Sequence, residues 1–144
     1  MSVIAWDGHI IAADRQITVG GNCMTGHKIF KHGDVIIGAV GTLTKALGLK
    51  RWYLGGMKTE ELPEKNEDAS EGTSIIVVSK KFIRHYYFDL DPVEIVGKQR
   101  CAWGCGKDLA LGAMEMGADA IEAVKVACKY DVNCGMGVEW FKVR

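Results

Sequence analysis

An apolar strand pattern begins at Val3, almost on the first residue, where most domains carry a few loose, solvated residues. Strand-forming runs then follow one another for forty residues. Val3 to Trp6 and His9 to Ala13 flank Asp7-Gly8, a dipeptide that favours a tight hairpin because glycine accepts positive φ. Gly20-Gly21-Asn22 marks a second turn, Cys23 to Lys31 reads as one further strand, and His32-Gly33-Asp34 turns the chain into Val35 to Val40, apolar enough to be a buried strand.

The period changes after Gly41-Thr42. Leu43, Ala46, Leu47 and Lys50 recur at helical spacing, which predicts a helix over Leu43–Tyr53, with Thr42 as N-cap and Gly55-Gly56 as the stop. Residues 57–72 are polar and acidic, a surface connection whose Glu60–Glu71 portion is expected to be solvated. Strands resume at Thr73–Val78 and Phe82–Phe88 around a Ser79-Lys80-Lys81 turn, followed by a short run from Val93 to Val96. Cys101–Gly106 is a glycine-punctuated junction from strand to helix. Two helices, Lys107–Met116 and Asp119–Tyr130, are separated at Gly117, and Gly135–Val143 is the last strand. This grouping predicts an α+β architecture of sheets with helices on their outer faces, with residues 1–144 as one domain and no internal repeat.

Composition narrows the function classes. Acidic and basic residues balance at 18 each, so no basic excess argues for nucleic acid and no polybasic patch for a membrane surface. No apolar run reaches the ~18–20 residues of a membrane span. The first apolar stretch is broken by Asp7 and Asp14 and lacks a basic leader, so no signal peptide is expected. Cys23, Cys101, Cys105, Cys128 and Cys134 are odd in number and form no CxxC pair, which favours reduced thiols in a cytoplasmic protein over disulfides or zinc. His9, His27, His32 and His85 are scattered, and no metal or cofactor is expected. Trp6, Trp52, Trp103 and Trp140 read as core or subunit contacts, and Met114 and Met116 as packing.

Four stretches could carry chemistry. Ala12-Ala13-Asp14-Arg15-Gln16 follows a strand, and His27-Lys28-Ile29-Phe30-Lys31 places a lysine at a strand start. Trp103-Gly104-Cys105-Gly106 precedes a helix and could cradle an anion, although a lone GxG is more often a tight turn. Each of these, taken singly, reads as ordinary surface or turn. Lys129 to Gly137 is less ordinary: a helix ends on Asp131, whose charge opposes the helix dipole, so the carboxylate needs a partner or a function.

In this order, these stretches and the opening Ser2-Val3-Ile4 resemble the proteasome β-subunit family, including HslV, the peptidase subunit of a bacterial two-component ATP-dependent protease. That family belongs to the N-terminal nucleophile (Ntn) hydrolases. The matching pieces are Ile11 to Arg15, Lys28-Ile29, Ile37 to Gly41, Gly104-Cys105-Gly106 and Tyr130 to Gly135. The likeness runs over nearly the whole chain and weakens between residues 42 and 72, where the family has two long helices and this chain has room for one short one. In that it is similar to compact members from phage and prophage genomes.

The resemblance implies a four-layer αββα sandwich and a chemistry that explains the opening strand. Removal of Met1 would expose Ser2, whose hydroxyl attacks the scissile carbonyl while its own α-amine takes the proton. An α-amine has a reference pKa of ~7.7–8.0, near neutrality, and can supply the base that a hydroxyl nucleophile needs. By the same likeness, Lys28 favours the ionised hydroxyl, Asp14 pairs with Lys28, Asp131 orients the amine, and the Gly41 N–H donates to the oxyanion. The chain departs from the family at Ser2 in place of threonine, at Cys105 and Cys134 in place of serines near the amine, and at Gln16 in place of a basic residue. Thiols hydrogen-bond weakly, so a proton relay through them is weaker. Gln16, Met24 and Val40 are candidates for the specificity pocket. The implied partners are identical subunits in a ring-shaped homo-oligomer, polypeptide substrates, and an ATP-dependent unfoldase as a candidate. A catalytically inactive ring or assembly protein is the alternative reading, and amide hydrolysis of a small metabolite a third.

Overall fold

A computed structural model of the chain describes residues 2–64, 72–88, 91–97 and 99–144. Its strands are β1 (Val3–Trp6), β2 (Ile10–Asp14), β3 (Gln16–Val19), β4 (Asn22–Thr25), β5 (Ile29–His32), β6 (Val35–Val40), β7 (Ser74–Val78), β8 (Ile83–Tyr86), β9 (Val93–Glu94), β10 (Cys101–Gly104) and β11 (Val138–Lys142). The helices are α1 (Leu43–Leu54), α2 (Lys107–Glu115) and α3 (Ala120–Tyr130). One sheet has the order β10-β1-β2-β11, a second β5-β6-β7-β8-β9, and β3-β4 form a separate ribbon. The ladders are antiparallel throughout.

Side-chain alternation sorts the strands into layers. Val3, Ala5 and Ala12 face α2 and α3, where they meet Ala110, Met114, Ala123 and Val124. Ile4, Trp6, Ile11 and Ala13 face the other way, onto Ile29, Ile36, Val40, Ile76 and Ile83 of the second sheet. Ile37, Ala39, Ile75 and Val77 then point outward, beneath Ala46, Leu49 and Trp52 of α1. The result is the αββα sandwich of the Ntn-hydrolase fold. Burial on both faces explains why β1 and β6 read as continuous apolar runs rather than as alternations. Gly38 has a packing reason: a Cβ there would stand 3.0 Å from Ile4 Cδ1, across the inter-sheet layer.

The hairpin expected at Asp7-Gly8 turns one residue later. Pairing of Ile4 with Ala13 and Trp6 with Ile11 leaves Gly8-His9 as the loop, with Gly8 at φ +102°. Asp7 is instead the clamp beneath that loop: its Oδ1 accepts from the N–H groups of His9 and Ile10, both at 2.8 Å. Its Oδ2 accepts from Ala120 N–H at 2.9 Å, so a hairpin in one layer caps the first turn of α3 in the next. The strand expected over Cys23 to Lys31 is broken at residues 26–28, where Gly26 N–H donates to Arg15 C=O and the chain crosses from the ribbon to the second sheet. Outside the sheets, Thr59–Glu61 forms a single exposed 3-10 turn; residues 65–71 of the expected solvated loop lie outside the described residues. Among the described residues no helix is long and apolar enough to cross a membrane.

Candidate active site

A cleft lies beside the start of β1, bordered by β3 and by the turn from β6 into α1. Ser2 is buried there, immediately ahead of β1, with Gly104 and Gly106 packed on its main chain. Gly106 N–H donates to Ser2 C=O at 3.3 Å. Gly104 has φ +94°, and a Cβ on it would run into the Ser2 carbonyl, so only glycine lets β10 approach this closely. The Ser2 hydroxyl oxygen is buried and has no hydrogen-bond partner among the described residues. It borders a cleft of about 390 Å³ whose walls include Gln16, Lys28, Ala39, Gly41 and Leu43.

A buried ion pair lies beside it. Lys28 Nζ donates to Asp14 Oδ1 at 2.7 Å, with both side chains out of solvent. Asp14 Oδ1 also accepts from Val3 N–H at 3.0 Å, and its Oδ2 accepts from the N–H groups of Gln16 at 3.2 Å and Gly135 at 3.1 Å. One carboxylate therefore ties the start of β1, the start of β3, the loop before β11 and the lysine. Charge burial of this kind is tolerable only where each lone pair finds a donor. Lys28 itself sits in the break before β5 rather than within a strand. Its C=O accepts from Ala39 N–H at 2.8 Å, and its N–H donates to Glu139 Oε1 at 2.6 Å.

Gly41 borders the same cleft at φ +84°, at the turn from β6 into α1. A Cβ there would stand 2.6 Å from Thr73 Oγ1 and 2.7 Å from Gly72 O, which makes glycine obligatory twice over. Thr73 Oγ1 in turn accepts from Thr42 N–H at 3.1 Å, and the Thr42 side chain makes no cap bond. Asp131 ends α3, and its carboxylate accepts from Asn133 N–H at 2.9 Å within its own loop. No hydrogen bond links it to Ser2 among the described residues.

The two cysteines part company. Cys105 is exposed between the glycines that touch Ser2. Cys134 is buried in the layer between the first sheet and the helices, under Gly106 and among Val3 and Ala127. Burial, with the Asp14 and Asp131 carboxylates adding to it, pushes the Cys134 thiol up to about 12, and Cys128 is likewise raised to about 11. Cys134 therefore stays a neutral thiol and packs as a small apolar group.

Of the expected pocket residues, Gln16 lines the cleft, and its Nε2 donates to Val132 C=O at 3.1 Å. Val40 instead packs in the inter-sheet core, and Met24 lies exposed on the ribbon. Ile17, Thr18, Thr42 and Leu43 take their places. Met114 is core as expected, whereas Met116 is 88% exposed. Trp6 and Trp52 are core, and Trp140 faces solvent on β11. Sequence reasoning missed Glu139 and Thr73, because both act through chain segments remote in sequence.

The αββα sandwich is the fold of the Ntn hydrolases. Among solved structures, the chain is similar to "Thiobacillus denitrificans BPH in complex with Epoxomicin", with a TM-score of 0.74 and 21% identity over 100% of this chain and 98% of that one. It is similar also to Thiobacillus denitrificans BPH alone, with a TM-score of 0.72 and 20% identity over 99% and 97% of the two chains. Eukaryotic HslV from Trypanosoma brucei gives 0.68 and 19%, over 99% and 98%. At these identities the likeness is one of fold. No protein-family model matches the sequence, and no curated protein does.

Proposed function

We propose that the chain is an N-terminal nucleophile peptidase of the proteasome and HslV type, with Ser2 as nucleophile once Met1 is removed. The observation that carries this is the buried Ser2 hydroxyl, without a hydrogen-bond partner among the described residues, bordering a cleft with the buried Lys28–Asp14 pair. The Ser2 Oγ attacks a peptide carbonyl as its proton passes to the Ser2 α-amine, and the Gly41 N–H donates to the oxyanion. Collapse expels the leaving amine, which takes the proton from the α-ammonium, and leaves an ester on Ser2. Water then loses a proton to the α-amine and attacks the ester, the acid product leaves, and the proton returns to Oγ. Lys28 stabilises the oxygen while it is anionic, and Asp131 orients the amine after processing. Cys105 and Cys134 stand where the family relays protons through serine, and this chain does without that relay.

The reading includes identical subunits in a ring, polypeptide substrates, an ATP-dependent unfoldase as a candidate partner, and the compact phage or prophage type. Free cysteines support a reducing, cytoplasmic setting. The alternative, an inactive ring or assembly protein on the same fold, draws support from the Asp131 carboxylate, which is engaged by its own loop.

The test is the intact mass of untagged protein before and after incubation with epoxomicin, a peptide epoxyketone that reacts with both the hydroxyl and the free α-amine of such a residue. Loss of Met1 and a single adduct, absent in Ser2→Ala, are expected. Retained Met1 and no adduct, in protein purified from its natural source, would overturn the reading in favour of the assembly protein.

A further inference from the structure

The geometry points to Glu139 as a positioning residue of this site: its carboxylate fixes the chain break that delivers Lys28. The catalytic consequence rests on the peptidase reading; the positioning itself does not.

Residues 26–28 lie between β4 and β5 and outside any regular strand, and Lys28 meets the second sheet through its C=O, which accepts from Ala39 N–H at 2.8 Å. Glu139 holds the same stretch from the other side, through the backbone N–H groups. Its Oε1 accepts from Lys28 N–H at 2.6 Å and from Ile29 N–H at 3.2 Å, and its Oε2 meets His27 Nδ1 at 2.8 Å. Three consecutive residues thus converge on one side chain from the opposite sheet.

Glu139 pairs with Ala13 across the β2–β11 ladder and so shares its inter-sheet face, while the next pair on that ladder is Val138 with Asp14. Two carboxylates from neighbouring ladder positions therefore grip the two ends of one lysine: Asp14 the ammonium, Glu139 the backbone. The Glu139 side chain is only 15% exposed, against 64% for His27. Phe141, two residues further on the same face, packs into the apolar inter-sheet cluster. A carboxylate on a face that otherwise takes apolar residues is costly unless donors meet its oxygens. Holding Lys28 is what this one does there.

Without Glu139 the break relaxes and the ammonium drifts from the nucleophile. A displacement of about 1 Å at a positioned group costs on the order of a hundredfold in rate. The first readout is independent of catalysis: the rate at which an amine-acylating reagent labels Lys28, measured by peptide mass spectrometry on the untagged full chain. Lys28 is expected to be protected in the wild type and in Glu139→Gln, whose amide oxygen can take the two backbone N–H groups. It is expected to become reactive in Glu139→Ala while exposed lysines such as Lys129 label as before. Should Glu139→Ala not fold, Glu139→Asp keeps the charge, withdraws the carboxylate by one methylene and carries the same expectation. Lys28 as protected in these variants as in the wild type would overturn the proposal.

The second readout is epoxomicin inactivation. Glu139→Ala is expected to slow adduct formation on the order of a hundredfold with little change in the reagent's binding constant, and Glu139→Gln to restore most of it. Equal inactivation rates in wild type and Glu139→Ala would also overturn the proposal. A wild type that forms no adduct sinks the peptidase reading instead, and the labelling of Lys28 still decides what Glu139 holds.

Discussion

Asp14 collects four donors on two oxygens, three backbone N–H groups and the Lys28 ammonium, with no exposure to solvent. Removing it leaves a buried ammonium without its counter-charge. Breaking a buried pair from one side costs about 3–5 kcal/mol, while replacing both partners by apolar groups is often nearly neutral. Asp14→Ala is therefore expected to lose about 3–5 kcal/mol in urea unfolding. Asp14→Ala with Lys28→Met should regain a substantial part of that stability while remaining inert to epoxomicin. A double variant no more stable than the single one would mean that the backbone donors, not the ammonium, dominate the role of Asp14. As residues in a sequence, Asp14 and Lys28 carry no special mark, since an acid after a strand and a lysine before one are ordinary surface features. They became legible together, in order with Ser2 and Gly41, and the structure brings Ser2, Lys28 and Gly41 to one cleft with Asp14 paired to the lysine. Glu139 had no such context, because its partners are 110–112 residues away and its strand gives no local reason for a carboxylate.

At the scale of elements, the apolar runs of β1, β2, β6 and β7 could be read directly, because burial on both faces leaves few polar interruptions. The helices were legible within a residue or two at their ends, since Gly55 and Asp119 mark a stop and an N-cap. The stretch from Cys23 to Lys31 was not. β4 is exposed along its whole length, so its residues hold no burial pattern, and the crossing at 26–28 is set by contacts from Arg15, Ala39 and Glu139. The shift of the first hairpin has a comparable cause: Asp7 serves as clamp rather than as loop residue, because its second oxygen has a helix to cap. Asp7→Ala removes acceptors from His9, Ile10 and Ala120 together. Loss of a helix cap alone costs about 1 kcal/mol, so a loss of about 1–3 kcal/mol is expected, with amide exchange rising in both the hairpin and the first turn of α3. Exchange confined to the hairpin would show that the bond to Ala120 contributes little to holding the layers together.

Across the whole molecule, what holds the sandwich is an inter-sheet layer that is nearly all apolar, and its polar members set how the fold answers to pH. His85 lies in that layer, edge-on to Trp103 at 6.1 Å between ring centroids, with Ser74 Oγ at 2.6 Å from Nε2 and the Tyr87 hydroxyl at 3.1 Å from Nδ1. Both ring nitrogens are occupied while the ring is neutral, and burial lowers its pKa to about 4. In the unfolded chain the same ring titrates near ~6.5. Between those values the unfolded state binds a proton that the folded state refuses, so acidification favours unfolding. The stability that the neutral His85 contributes is thus complete above about pH 6.5 and is lost progressively as pH falls to about 4. Carboxylates titrate in the lower part of this window, so the comparison has to be differential. His85→Gln keeps an amide within reach of Ser74 and cannot take the proton. The wild-type melting temperature is expected to drop more steeply than that of His85→Gln between pH 7 and pH 4.5, with parallel curves above pH 7. Equal slopes across the window would mean that the two sheets separate enough at His85 to hydrate the imidazolium.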